Sequence, residues 1–532
     1  MSDFQQRGPI TTLPRLVEQS LTDRELELRG FAGECPVALV IPCLATEMDQ
    51  PALAGMVAEL ARVPYLDSVV VSLDRANEED YRRAREYFRP LGQRTVVLWN
   101  DAPPLLELRT GIEERVGPLP PGKGRAVWTA VGFVVAERRV RAVALHDADV
   151  VDYSRALLAN LLLPVMHPEL DFNFSKAYYA RITDRLHGRV TRLLMRPLLQ
   201  ALSDVVGRHP YLSYLAAFRY PLSGELALEV DLLRRIRIPG DWGLEVGLLF
   251  EILRQRSARR ICQVDVADRF EHKHQELSPD DASQGLHRMA VDIVKHLLRT
   301  LSAAGVVLKE GSFKSMRVAY QRCAEDAVAD YYAVALFNGL KFDRHAEEGA
   351  MATFSQALAE GCEQFSVDPL GTPSLPNWAR VHSAWPEADA DLLRAVRDLD
   401  GVSDEDRRRR HRPRRHAARA GRQPRSRGAR RVGASRGVWR AGLSAHQQDR
   451  GGTRGVRRDR AGAGAGWLRE RRRDRLAASR TAPGSSCRTE KPVSRCRPCP
   501  SRSCASCSNG YAARPAPRHA RSRNSTTASW KR

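Results

Sequence analysis

Two carboxylates one residue apart, Asp147 and Asp149, follow directly on the apolar run at residues 140–145. Acids at a strand exit can face one cavity. Their oxygens are hard ligands suited to Mg2+ or Mn2+, above all when a diphosphate fills the remaining positions. On their own, such pairs are common and read more readily as a polar loop start with a helix cap. Pro121-Gly122-Lys123-Gly124 opens a helical stretch. Its glycines let the backbone approach a phosphate, and a helix N-terminus and an ammonium both favour negative charge. The upstream glycine and the Ser/Thr of a P-loop are missing. Gly188-Arg189-Val190-Thr191 starts another helical stretch. Arginine grips a phosphate or carboxylate with a planar fork, and threonine adds a hydroxyl. Glu271-His272-Lys273-His274 follows a strand, where a neutral imidazole can complete a metal site. Glu245 opens an apolar helix and reads either as a functional acid or as a plain first-turn acid. The bland alternatives for the other motifs are an ordinary Pro/Gly loop, a helix cap beside a solvated arginine, and surface histidines.

These residues need elements to position them. Short apolar runs at residues 37–41, 67–74, 94–99 and 140–145 read as buried strands, separated by helical patterns at 78–87 and 124–137. Strands alternating with helices predict a parallel sheet covered on both faces, with ligands at the carboxyl ends of the strands. Pro42, Glu47, Asp74 and the pair Asp147 and Asp149 all fall there. A lead-in helix is expected over 16–28. Further on, 171–179 and 261–266 read as strands, 244–255 as a helix, and 190–206 as a helix interrupted by Pro197. Residues 282–304, 313–340, 346–364 and 388–399 carry apolar residues at helical spacing. The organisation expected is a lead-in (1–30), an α/β domain (31–280), a helical extension (281–400) and an Arg-rich tail (401–532).

The charge is divided just as sharply. Of 85 basic and 63 acidic residues, 37 basic and 5 acidic lie in residues 407–532, so the formal charge of +22 describes no single domain. The remainder is mildly acidic, which excludes a uniformly basic nucleic-acid-binding body. No apolar run reaches the roughly 18 residues of a membrane span, and the polar N-terminus shows no secretory signal; a cytoplasmic enzyme without a membrane partner is expected. Cys35, Cys43, Cys262, Cys323 and Cys362, odd in number and far apart, suit free thiols. The tail is rich in Arg, Ala, Gly, Ser and Pro and almost free of Lys, as off-frame translation of a GC-rich gene would give; a natural disordered basic tail is the alternative. Cys496-x-x-Cys499 and Cys504-x-x-Cys507 are separated too closely for a zinc ribbon. Aromatic residues are too sparse in the tail to act as stacking platforms, so nucleic acid is not the expected partner.

Taken in order, Gly-Lys-Gly, Asp-x-Asp, Gly-Arg-Val-Thr, Gly-x-Glu-Val-Gly-Leu-Leu and a His after a strand resemble the retaining glycosyltransferases of the glucosyl-3-phosphoglycerate synthase type. The resemblance spans residues 30–280. It implies a GT-A, Rossmann-like α/β core with the helical extension behind it. It implies transfer of glucose from a nucleotide sugar, UDP-glucose in the first place, to 3-phosphoglycerate, with Mg2+ or Mn2+ as cofactor. Pro42, Glu47, Asp74, Gly122, Lys123 and Asp147 would bind the donor. Asp149 and His272 would hold the metal. Gly188, Arg189, Thr191 and His274 would hold the acceptor. Glu245, Asp149 and Lys123 would carry the chemistry. A mannosyl donor, a glycerate acceptor, or nucleic-acid binding through the tail are the alternatives, and a homodimer is compatible with the sequence.

Deleting residues 407–532 is expected to leave both cooperative unfolding and activity intact, because that segment has too few apolar residues to pack on a core. Thermal unfolding and turnover of the truncated chain check this.

Overall fold

The strand segments form one eight-stranded sheet in the computed structural model, which describes residues 6, 8–92, 94–268, 270–271 and 285–400. The strands are β1 (Thr11–Leu13), β2 (Val37–Leu44), β3 (Leu66–Asp74), β4 (Arg94–Trp99), β5 (Ala142–Leu145), β6 (Phe174–Tyr179), β7 (Leu226–Glu229) and β8 (Ile261–Ala267). Their order is β1-β8-β6-β7-β5-β2-β3-β4. The sheet is mixed rather than wholly parallel as expected: β7 runs antiparallel to both β5 and β6. The chain leaves β6 at one edge of the sheet, and residues 180–225 return to that same edge, so β7 must run back. The α/β fold expected from the sequence is otherwise what the structure shows.

β2 lies between β3 and β5, so the strand order reverses there. A crevice opens at such a switch point, at the carboxyl ends of the strands. Side chains alternate across the sheet. Ala38, Val40, Val143 and Leu145 join one apolar core with helices Lys123–Glu137 and Gly285–Ala303. Leu39, Ile41, Ala142 and Ala144 join the other, with Pro51–Leu60 and Arg155–Met166.

Helices Glu78–Tyr87 and Leu244–Gln255 and strand β4 lie where the sequence pattern puts them. The lead-in helix is shorter than expected, Leu21–Phe31, because the Ser20 side chain accepts from the Asp23 N–H and caps it there. Helices Pro51–Leu60, Pro103–Val116 and Pro210–Ala217 had no counterpart in the sequence reading. Each carries proline in its first turn, where the missing N–H costs nothing. The expected break at Pro197 does not occur. Val190–Met195 form a π-type turn that passes directly into helix Arg196–Val206, with Pro197 in the first turn of the latter. Widening the helix just before the proline relieves the clash its ring would make.

The C-terminal helices Gly285–Ala303, Glu310–Phe337, Arg344–Val367, Trp378–Ala384 and Ala388–Asp400 close one face of the molecule. Trp128 and Trp378 stack with ring centroids 4.5 Å apart. Trp378 Nε1 donates to the Trp128 carbonyl at 2.9 Å, and Trp128 Nε1 donates to the Pro376 carbonyl at 2.6 Å. Among the described residues, no helix is long and apolar enough to cross a membrane, and the five cysteines named above are free. Residues 401–532 lie outside the described residues.

Two fully buried histidines each oppose folding as the pH falls. Burial pushes His146 down to about 3 and His296 down to about 4, from an ordinary value of 6.5. Both stay neutral when folded, whereas the unfolded chain takes up a proton near 6.5. The histidines' share of the stability is therefore full above about pH 6.5 and falls as the pH drops below it, whereas acids raised by burial, such as Glu225, contribute in the opposite sense. At pH 5 each histidine is expected to cost about 2 kcal/mol. Denaturant titrations of wild type and His146→Leu from pH 8 to 5 check this: the stability of the variant relative to wild type should rise by about 2 kcal/mol as the pH falls.

Candidate functional site

β2, β3 and β5 end at one edge of the sheet, with Leu44 opposite Asp74 and Val40 opposite Leu145. Beyond β2 a 3-10 turn, Ala45–Asp49, carries Glu47. Beyond β5 the chain runs through His146, Asp147 and Asp149. Lys123 is the first residue of its helix, and its Nζ lies 2.7 Å from Asp147 Oδ1 and 3.3 Å from Glu245 Oε1. Three segments far apart in sequence therefore meet at one ammonium. Burial alone would lower the Lys123 pKa. The carboxylates of Asp147 and Glu245 outweigh it and hold the ammonium well above the usual lysine range.

The glycines around Lys123 also meet a packing requirement. A Cβ on Gly124 would overlap the Pro239 carbonyl, and one on Gly122, at φ 148°, would overlap that of Gly240. They let the helix start pack directly on the segment leading to Glu245. Gly224 does the same for Asp147, whose carboxylate occupies the space a Cβ would need.

Asp149 is pushed up to about 6, first by burial, then by the neighbouring Asp147 charge and by Glu47; Lys123 opposes this. Acids thus crowd this edge, and their hard oxygens suit a divalent cation. Among the described residues, no three His, Cys, Asp or Glu side chains converge into a metal cage. The carboxylates fit such an ion when a diphosphate completes its coordination. His272 and His274, expected as metal and acceptor ligands, lie outside the described residues.

Asp74 ends β3. Burial raises its pKa, Asp101 adds to the rise, and Arg125, Arg75 and Arg109 oppose it. Arg75, just after it, has φ 53°, a strained turn at the strand exit. Pro42 lies within β2 opposite Ser72.

Sequence reasoning missed a second buried lysine. Lys176 in β6 is 1% exposed, and its Nζ donates to the Ser223 carbonyl at 2.5 Å. Burial pushes it down to about 8, against the pull of Glu245 and Glu225. Glu225 accepts a hydrogen bond from Tyr179 Oη at 2.8 Å. Burial and the Asp147 charge push it up to about 7. The available signal was a lysine in the middle of an apolar strand, a type almost never fully buried without a partner.

Gly188, Arg189 and Thr191 lie at the start of the turn that leads into helix Arg196–Val206. Gly188, at φ 71°, packs against Tyr220 and Arg181. Arg189 Nε donates to Glu347 Oε1 at 2.9 Å, a partner from the C-terminal helices that the sequence did not suggest. The Thr191 hydroxyl is buried and has no hydrogen-bond partner among the described residues. A cavity of about 740 Å³ opens elsewhere, beside Cys35, His167 and Arg234, and none of these site residues lines it.

No family model matches the chain. The glucosyl-3-phosphoglycerate synthase of Persephonella marina is 43% identical to it over 399 residues, covering 75% of this chain and 99% of that protein. That of Methanococcoides burtonii is 37% identical over 374 residues, covering 69% of this chain and 91% of that protein. Among solved structures, glucosyl-3-phosphoglycerate synthase from Mycobacterium tuberculosis in complex with Mg2+ and uridine diphosphate is 22% identical. It covers 57% of this chain and 89% of that chain, with a TM-score of 0.41. Likeness at that level leaves the weight on the two sequence relatives.

Lys123→Met removes the counter-charge of two half-buried or buried acids and is expected to destabilise the fold by about 1–3 kcal/mol. Adding Glu245→Gln should return part of that loss. A double-mutant cycle by denaturant unfolding measures both.

Proposed function

The chain belongs to the family of glucosyl-3-phosphoglycerate synthases, which are hexosyltransferases, and on that premise we propose that it moves glucose from UDP-glucose to 3-phosphoglycerate with retention at the anomeric carbon. The observation that carries this reading is the Lys123 ammonium, held between Asp147 and Glu245 and beside Asp149, at the switch point of the sheet.

In this reading the donor diphosphate lies over the carboxyl ends of β2 and β5. Asp149, with His272, would hold Mg2+ or Mn2+, which when bound supplies positive charge to the leaving diphosphate. Lys123 sits at the N-terminus of its helix and neutralises the charge that develops on the departing phosphate oxygen. Asp147 keeps Lys123 in place and lies toward the ribose or sugar. Glu245, 7% exposed, orients the glucose through its hydroxyls. Pro42, Glu47, Asp74 and Gly122 form the donor's surroundings.

Gly188, Arg189 and Thr191 hold the acceptor phosphate. With the acceptor so anchored, its hydroxyl attacks the anomeric carbon from the face the diphosphate leaves, and the departing oxygen takes the proton. Front-face displacement retains configuration without a covalent glucosyl-enzyme. It suits a site in which Glu245 is already engaged by an ammonium and is therefore a poor nucleophile.

A matrix of UDP- and GDP-sugars against 3-phosphoglycerate and glycerate, with and without Mg2+, tests the assignment. UDP-glucose with 3-phosphoglycerate should dominate, and chelation should stop turnover. A GDP-mannose or glycerate preference would replace this donor or acceptor. Asp149→Ala is expected to lower turnover at least about a hundredfold, on the order of 3 kcal/mol. Arg189→Ala should raise the KM for 3-phosphoglycerate roughly ten- to a hundredfold, about 1.5–3 kcal/mol for a charge-assisted contact. Weakened UDP-glucose binding with an unchanged acceptor KM would move Arg189 to the donor side.

A further inference from the structure

Arg189 and Glu347 are 158 residues apart in the chain, yet their side chains meet at 2.9 Å. Glu347 is 5% exposed, on the first turn of helix Arg344–Val367, which the Asp343 side chain caps. A carboxylate so buried needs compensation, and two arginines supply it. Arg192 Nη1 donates to Glu347 Oε2 at 2.6 Å and its Nη2 donates to Oε1 at 3.2 Å. Arg192 is itself fixed. Its Nε donates to the His187 carbonyl at 2.8 Å, its Nη2 to that of Leu186 at 3.4 Å, and its guanidinium lies 4.9 Å from the Tyr331 ring centre. Every nitrogen of Arg192 is thereby engaged with protein.

Arg189 is engaged differently. Only its Nε donates to Glu347. Its Nη1 and Nη2 have no hydrogen-bond partner among the described residues, and the side chain is 33% exposed. One carboxylate therefore binds one arginine as a rigid strut and a second by its inner edge alone. The outer edge of that second guanidinium is left to solvent, beside the left-handed turn at Gly188 that precedes it in the chain. A planar fork fixed on one side loses less freedom when it closes on an oxyanion than one that swings. Burial alone would raise the Glu347 pKa, but the Arg192 and Arg189 contacts outweigh it, so the strut stays ionised.

We propose that Glu347 is a positioning residue for the acceptor. By holding Arg189 through Nε, it presents the two terminal nitrogens of the guanidinium to the acceptor's phosphate. This rests on the assignment of Arg189 to the acceptor, made above. It gives the C-terminal helices a direct part in the reaction, since they complete the acceptor site.

Two effects of removing the Glu347 charge oppose one another. Loss of a negative charge near the phosphate would tighten acceptor binding, whereas loss of the strut would loosen it. The direction of the change in KM tells them apart. In the full chain, Glu347→Gln should raise the KM for 3-phosphoglycerate by about tenfold and leave that for UDP-glucose within about twofold. The double variant with Arg189→Ala should be no worse than Arg189→Ala alone, because Glu347 acts through that residue. Glu347→Asp keeps the charge but is too short to span both arginines, and should also raise the acceptor KM; it carries the test if the glutamine variant does not fold. A lowered or unchanged acceptor KM in the folded variants, additivity with Arg189→Ala, or equal losses for both substrates would overturn the proposal. An Arg189→Ala enzyme with an unchanged acceptor KM would instead overturn the assignment of Arg189.

Discussion

One ammonium group between two carboxylates organises the functional edge of this protein. Lys123 comes from the start of a helix, Asp147 from the exit of a strand and Glu245 from the first turn of another helix. Without the lysine, two acids at this edge would repel one another and lose their fixed positions. The ammonium in turn depends on packing that has no charge at all. Gly122 and Gly124 let the helix start rest on the Pro239–Gly240 backbone, and Gly224 makes room for the Asp147 carboxylate. Farther along the same helix, the Trp128–Trp378 stack clamps it to the C-terminal helices.

The surroundings of that ammonium are out of balance in a way that suits a phosphate-bearing donor with its cation. Asp149 and Glu225 are both pushed upward by burial and by the charge of Asp147, and buried Lys176 is pushed downward. Folding holds these groups in environments that none would choose in isolation. Such perturbed groups gather where chemistry is done. The group around Arg189 follows another pattern: the buried acid Glu347 is paired with two arginines, and one of them keeps an outward edge. Under the proposed reading, the donor side develops and disperses charge during the reaction, whereas the acceptor side only has to hold an anion still.

The C-terminal helices are more than a cover for the sheet. They supply half of the tryptophan stack that positions the lysine helix, and they supply Glu347. Both groups of site residues are therefore linked to one set of helices through contacts spanning more than 150 residues of sequence.

Local pattern alone determined a good deal of this protein. Short apolar runs between helical stretches announced an α/β sheet, and the strand exits at Asp74 and before Asp147 announced the edge where Lys123, Asp147 and Glu245 meet, whereas Pro42, expected at an exit, lies inside β2. Both follow from backbone periodicity, which is a property of neighbours in sequence. The motifs around Lys123, Asp149, Arg189 and Glu245 were legible because each carries unusual residue types at a helix start or a strand end. Only the tertiary structure decided the rest. It turned β7 antiparallel, carried the chain through Pro197 on a π-type turn, and gave the Gly-Lys-Gly glycines a backbone to pack on. It also brought buried Lys176 and Glu225 beneath the site and paired Arg189 with Glu347. Each of these depends on what lies across the fold rather than along the chain: a strand's direction on where its connection returns, a glycine's role on the atom that would meet its Cβ, and a charge's state on the burial and partners that folding imposes.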